Sequence, residues 1–288
     1  MNYLAQRSYQ APLGLWGLCR LNIGYSGPIA RISDGEGEIG DIWSMRELPA
    51  MYASAGSTDL LLFRLYDQTG SGRHVEVPSG ALATGPLVYT ASGYQFAPGS
   101  PKRPCARWTT GQQSRLEWIG SAAMSTAEGQ GISFAYVSAV EAGDASRFPL
   151  MFGSATGSIL FQWAVVGPRN EASSLGSPGG YQQYALTGQE TNLHSDVFRY
   201  TLGGLVASGG QDNGGDWYQN MFSFEGTDLA ALNASMPTDA TRVSIGGLTG
   251  IGGAFSGHML CAAIYQHRLK WSPENGSVCS CLTSLLQG

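Results

Sequence analysis

The chain has 288 residues, 43% of them hydrophobic, 13% charged and 41 of them glycine, with a net charge of −5. That length suits one large all-β domain or two ordinary ones, with enough apolar content for a substantial core. Charge is about half its usual share and glycine about twice its usual ~7%, as in a turn-rich β protein whose surface is meant to be covered by neighbours. Acids exceed bases and no basic run occurs, which excludes nucleic-acid binding as a function class.

The five cysteines, Cys19, Cys105, Cys261, Cys279 and Cys281, are odd in number and form no CxxC spacing. They read as reduced, mostly buried thiols, not as zinc ligands or a secreted disulfide framework. No metal or cofactor is expected. Residues Met1 to Arg7 lack a basic stretch followed by an apolar one, so the expectation is a protein without a signal peptide that begins in a cytoplasm. No run of about 18 uncharged apolar residues predicts membrane insertion.

In chain order, residues 1–14 are polar, contain Pro12 and Gly14, and read as an arm. Residues 15–272 have one continuous β texture and read as a single domain. Ile29 to Ile32 alternates as a half-buried strand does. Leu48, Met51, Tyr52 and Ala55 have helical spacing, with Pro49 in the first turn of a short helix. Leu60 to Leu65 is an apolar run that reads as a buried strand. Short apolar runs then recur between turn signals, among them Pro86–Tyr89, Leu116–Ile119, Gly131–Val137, Ser158–Val165, Tyr181–Leu186, Val197–Tyr200, Asp216–Phe224, Arg242–Ile245 and His258–Tyr265. This cadence predicts a sandwich or barrel. Segments 167–180 and 203–215, rich in Gly and Pro or in Gly alone, read as loops. Residues 273–288 read as a tail holding a short helix, with Ser272 at its N-cap and Pro273 at its first position.

The run Tyr66-Asp67-Gln68-Thr69-Gly70-Ser71-Gly72-Arg73-His74 follows the Leu60 strand directly. Upstream stands Tyr25-Ser26-Gly27-Pro28, and downstream Ile245-Gly246-Gly247 and Gly253-Ala254-Phe255-Ser256-Gly257. These segments resemble, in order and spacing, those of the arabinofuranosidase B-type catalytic domain. The resemblance covers residues ~15 to ~270 and implies an all-β, concanavalin A-like jelly-roll sandwich of two antiparallel sheets with short peripheral helices. Within the signature turn, Tyr66, Asp67, Gln68, Gly70, Gly72 and His74 are expected to be structural: Asp67 bonding back to turn N–H groups, His74 capping the same turn or meeting a ligand.

Glycosidases of this kind need a carboxylate nucleophile and a carboxyl acid/base about 5–5.5 Å apart for retention. By resemblance, Thr156 stands at the nucleophile's place after Met151-Phe152-Gly153-Ser154-Ala155, and Leu248 at the acid's place after Gly247. Neither side chain can do that chemistry, so no catalytic residue is assigned. The remaining acids Glu117, Glu141, Asp144, Asp212, Asp216 and Glu225 read as solvated turn formers. Gly-x-Ser-x-Gly and Gly-Lys-Ser/Thr motifs are lacking. Strand tryptophans mostly belong to cores. Trp217 and Tyr218, beside Asp212 and Asp216, are the candidate exposed glycan platform.

Bacteriophage structural proteins contain domains that resemble this one. The expectation is therefore a non-catalytic virion protein, assembled in the host cytoplasm as a capsid decoration, spike, fibre or baseplate piece. Its expected partners are other virion proteins and copies of itself, in a symmetric homo-oligomer such as a trimer, with adhesion to a cell-surface glycan as an added role. The alternatives are a carbohydrate-binding module outside a virion, and an α-L-arabinofuranosidase-type hydrolase with relocated acids.

Overall fold

The computed structural model describes residues 3–6, 11–78, 81–96, 104–109, 114–125, 239–247, 255–265 and 281, together with the backbone of the strands named below between 132 and 224. Side chains are described within residues 3–120 and at 241–247, 255–265 and 281.

Strands β1 (Pro12–Gly17), β2 (Ala30–Ser33) and β3 (Glu38–Ile42) lead to a 3-10 turn at Met45–Glu47 and the helix α1 (Leu48–Ser54). Strands β4 (Leu60–Leu65), β5 (Val75–Glu76), β6 (Leu87–Thr90), β7 (Gly93–Tyr94), β8 (Ala106–Trp108) and β9 (Leu116–Ser125) follow. Then come β10 (Ile132–Val140), β11 (Leu150–Gly153), β12 (Ile159–Val166), β13 (Asn170–Ser177), β14 (Gly180–Thr187) and β15 (His194–Thr201). Strands β16 (Gly204–Asn213), β17 (Asp216–Phe224), β18 (Asp239–Ile245) and β19 (Gly257–Tyr265) complete the series.

All pairings are antiparallel and form two runs. One is β3-β2-β4-β5-β9-β18-β11-β12-β13-β14. The other is β1-β19-β10-β15-β16-β17. The bridge between them is β4-β6-β8-β19. Apolar side chains of both runs meet in one cluster, with Ile32, Leu62, Leu116 and Val243 from the first and Leu15, Ala263 and Tyr265 from the second, all wholly buried. Each of the buried Ile, Leu and Val side chains contributes roughly 1.5–3 kcal/mol. Strand β19 is buried at every position, as befits a strand flanked by β10 on one side and by β1 and β8 on the other. The all-β expectation holds.

The short helix forms where its apolar spacing placed it. Ser44 and Glu47 make a capping box that starts the 3-10 turn, and Pro49 sits in the first turn of α1. Leu48 is wholly buried, and Met51, Tyr52 and Ala55 pack against the core.

Three boundaries differ from the sequence expectations. Segment 203–215 is not a loop over most of its length: β16 runs to Asn213, which pairs with Asp216 of β17. Segment 167–180 likewise holds β13, with Ser177 opposite Gly180 of β14. Glycine and serine lower strand propensity, but ladder hydrogen bonds use only backbone groups, and tertiary pairing overrides the propensity. The segment read as an arm already enters the sheet at Pro12, which lies opposite Tyr265. Proline lacks an N–H and is tolerated at a strand's first residue. Farther back, Ala5 N–H donates to the Leu21 carbonyl at 3.0 Å. The tail helix over 273–288 lies outside the described residues, apart from the buried Cys281.

The two C-terminal family segments meet at one turn. Gly246 has φ +92°, its carbonyl accepts from Phe255 N–H at 3.0 Å, and the Phe255 ring lies 5.9 Å from that of Trp108. A Cβ at Gly246 would stand 2.0 Å from Trp108 Nε1. Gly246→Ala is expected to lower unfolding free energy by about 3 kcal/mol through overpacking and backbone strain. Gly37→Ala, where an added Cβ meets nothing within 4 Å, is expected to stay within about 0.5 kcal/mol of the parent. Urea denaturation of the two variants checks this.

Candidate functional site

The signature turn is built around a buried charge. Asp67 is wholly buried at the exit of β4. Its Oδ1 accepts from Leu15 N–H at 3.2 Å and Thr69 N–H at 3.0 Å. Its Oδ2 accepts from Thr69 Oγ1 at 2.8 Å, Ser71 Oγ at 2.5 Å and Arg73 N–H at 3.3 Å. Donors to an ionised carboxylate make the stronger class of hydrogen bond, and five of them offset much of the desolvation cost. Gly70 and Gly72 take positive φ of 83° and 78°, which lets the chain fold back around the carboxylate.

Gln68 ties the same turn to the segment after β1. Its Oε1 accepts from Leu21 N–H at 2.8 Å, while its Nε2 donates to the carbonyls of Cys19 at 2.8 Å and Gly17 at 3.3 Å. Arg73 Nη1 donates to the Leu13 carbonyl, and Trp16 Nε1 donates to the Arg73 carbonyl, both at 2.7 Å. Upstream, Tyr25 closes its own Tyr-Ser-Gly-Pro turn by donating to the Pro28 carbonyl at 2.9 Å.

His74 caps the turn from within. Its Nδ1 accepts from Asp67 N–H at 3.0 Å, so the ring is the neutral tautomer protonated at Nε2. Burial holds its pKa below the ordinary value; Arg64 pushes the same way, against Asp67 and Glu76. The ring stands edge-on to Tyr66 at 4.8 Å.

A row of charged side chains starts beside this turn and crosses the first strand run. Register places Asp41, Arg31, Arg64, Glu76, Glu117 and Ser244 opposite one another on β3, β2, β4, β5, β9 and β18 in turn. Arg31 grips Asp41 with both ends of its fork, at 2.7 and 3.1 Å, and reaches Glu38 at 3.0 Å. That grip lowers the pKa of Asp41. Tyr66 Oη donates to Asp41 at 2.8 Å, and burial, then this bond, raises the phenol's pKa. Arg64 Nε donates to Glu76 at 2.6 Å, and its guanidinium lies 5.7 Å from the Tyr66 ring centre. Glu117 Oε1 accepts from Arg242 Nη2 at 2.5 Å and lies 3.1 Å from Arg115 Nε in an ion pair.

Glu76 and Glu117 are thus neighbouring carboxylates. Directly opposed residues of an antiparallel pair have Cα atoms about 4.5–5.5 Å apart and share one face of the sheet, so two carboxyl side chains rise there side by side. Both, however, are engaged by guanidinium groups. A general acid must present a protonated oxygen to the leaving group, and these carboxylates are held as ion-pair acceptors.

Strand pairing sets Asp212 opposite Trp217, Gln211 opposite Tyr218 and Asn213 opposite Asp216. The side chains of Trp217, Tyr218, Asp212 and Asp216 lie outside the described residues, as do Thr156, Leu248, Glu141, Asp144 and Glu225. Sequence reasoning missed Arg31, Asp41, Arg64 and Glu76. The available signal was an arginine inside each of two apolar strands, Ala30–Ser33 and Leu60–Leu65.

No family model and no curated protein matches the chain. Among solved structures, it is similar to a GH54 α-L-arabinofuranosidase soaked with 4-nitrophenyl α-L-arabinofuranoside, with TM-score 0.60 and 12% identity over 99% of this chain and 64% of that one. An arabinofuranosidase complexed with arabinofuranosyl-α-1,2-xylobiose gives TM-score 0.55 and 13% identity over the same shares. The enzymatically active domain of bacteriophage CBA120 tailspike protein 2 gives TM-score 0.47 and 20% identity, over 67% of this chain and 29% of that one. The chain therefore spans 64% of the length of the two arabinofuranosidases. The likeness to them is one of fold, an antiparallel β-sandwich.

Asp67→Ala strands the buried Leu15 N–H and removes the acceptor of four part-buried donors, and is expected to cost roughly 3 kcal/mol in urea denaturation. His74 gives a pH signature. Its folded pKa is depressed, so the unfolded chain takes up the proton first. The stability it contributes is full above about pH 6.5 and is lost as pH falls below that value. The urea midpoint should drop through that window, and His74→Gln should remove this part of the drop.

Proposed function

We propose that this chain is a non-catalytic, glycan-engaging β-sandwich that serves as a structural component of a bacteriophage particle. The observation that carries the non-catalytic half is the state of its adjacent acids: Glu76 is bonded to Arg64, and Glu117 to Arg242 and Arg115. The resemblance that puts Thr156 and Leu248 at the places of the family's acids points the same way. The glycan half is supported by the arabinofuranosidase-type fold. The virion half rests on the sequence resemblance to phage structural proteins, whose signature turn is here a fastening of β1 onto β4. In this reading the chain assembles in the host cytoplasm with other virion proteins and with copies of itself in a symmetric oligomer.

One observation favours a second reading. The register that opposes Glu76 and Glu117 is the placement a relocated acid pair of a glycoside hydrolase would need, were their arginines displaced by substrate.

The expected outcome is recovery of the chain in purified particles at a fixed copy number, and no release of 4-nitrophenol from 4-nitrophenyl α-L-arabinofuranoside above the buffer rate. Turnover that falls at least about 100-fold in Glu76→Gln or Glu117→Gln, with the unfolding midpoint retained, selects the hydrolase instead.

A further inference from the structure

We infer that the glycan subsite lies at the β3 edge of the first strand run, where Trp43 and the Arg31–Asp41–Glu38 cluster together bind a neutral sugar chain. This rests on the glycan-engaging reading above and names its place and its ligand class.

Trp43 is 50% exposed. A single exposed apolar residue is ordinary on a protein surface; the setting of this one is not. Trp43 N–H and Ser44 N–H both donate to Glu47 Oε1, at 3.0 and 2.8 Å, within the capping box that starts the next turn. On its other side Ile42 is wholly buried and paired with Ala30. The backbone is therefore fixed on both flanks while the indole remains open to solvent. Trp43 follows the last residue of β3 directly and stands two positions beyond Asp41, at the side of the sheet where the charged row begins.

That side carries the preorganised polar groups. Arg31 is locked flat against Asp41 by two bonds, and Tyr66 Oη holds Asp41 from beneath. One strand further on, Arg64 and Glu76 repeat the pair. Glu38 and Glu76 are the open members, with side chains 43% and 42% exposed. A sugar ring has an apolar C–H face and a rim of hydroxyls. The first stacks on an indole, and the second bonds to fixed carboxylate and guanidinium groups. Successive pairs stand about 4.8 Å apart per strand, so a linear chain running across the strands would meet them in turn.

Charge selects the class. Arg31 and Arg64 face Glu38, Asp41 and Glu76, which leaves a negative balance along the track. A uronic or sialic acid would be repelled there, whereas a neutral hexose or pentose chain would not.

The test is binding of neutral and acidic oligosaccharides to the full chain on a glycan array, followed by titration of the best ligand with tryptophan fluorescence. The wild-type chain is expected to bind neutral linear oligosaccharides. Trp43→Ala should weaken binding about tenfold or more, the scale of one aromatic anchor, with an unchanged unfolding midpoint, and Trp43→Phe should restore part of it. Loss of binding in Trp217→Ala but not in Trp43→Ala overturns this subsite and leaves the glycan reading standing. Preference for acidic sugars overturns the ligand class. A wild-type chain that binds no glycan overturns both.

Discussion

A single buried carboxylate organises the first third of this molecule. Asp67 draws donors from β1 and from its own turn out to Arg73, so that two stretches distant in sequence share one acceptor. With Gln68 beside it bonding to the segment behind β1, the turn works as a fastening between β4 and the strand that opens the second run. The arrangement succeeds because the donors are backbone and hydroxyl groups fixed by the turn itself, which offset the desolvation of the charge. Removing the acid would leave the buried Leu15 N–H without its acceptor and release the turn that Thr69, Ser71 and Arg73 hold around it.

The same chemistry governs the charged row. Across the strands the row reads Asp41, Arg31, Arg64, Glu76 and Glu117, so each arginine has a carboxylate directly across from it on one side, the favourable arrangement of opposite charges. The row holds two like-charged contacts, Arg31 beside Arg64 and Glu76 beside Glu117, and each is compensated by flanking opposite charges: Asp41 and Glu76 for the arginines, Arg64, Arg115 and Arg242 for the carboxylates. A face arranged in this way is stiff and polar. Stiffness favours recognition of a hydroxyl-rich ligand, since little side-chain freedom remains to be lost on binding.

The strand pattern was largely legible in the sequence. Leu60–Leu65 announces itself by an apolar run, and α1 by Pro49 together with the apolar spacing of Leu48, Met51, Tyr52 and Ala55. The roles of Asp67 and His74 were legible as chemistry, because an Asp and a His enclosing a glycine turn have few other ways to be satisfied. The strands β13 and β16 were not legible, since Gly and Ser carry no β signature and only their partners make them strands. Nor was the charged row. Arg31, Arg64 and Glu76 are neighbours only through strand register, and register is a property of the assembled sheet. The arginines hinted at a polar face without saying which acids would answer them.

One pairing bears on how the protein comes into being. β1 lies against β19, with Leu15 beside Ala263 and Gly17 beside Cys261. These partners stand 248 and 244 residues apart (263 − 15 and 261 − 17), so β1 cannot be seated until all the strands between have been made. Contacts of such long reach slow the search for the native state and leave earlier strands waiting with open edges. A ribosome-bound fragment ending before β19 would hold an unfinished interior, and would rely on cellular holding factors to keep it from sticking to its siblings.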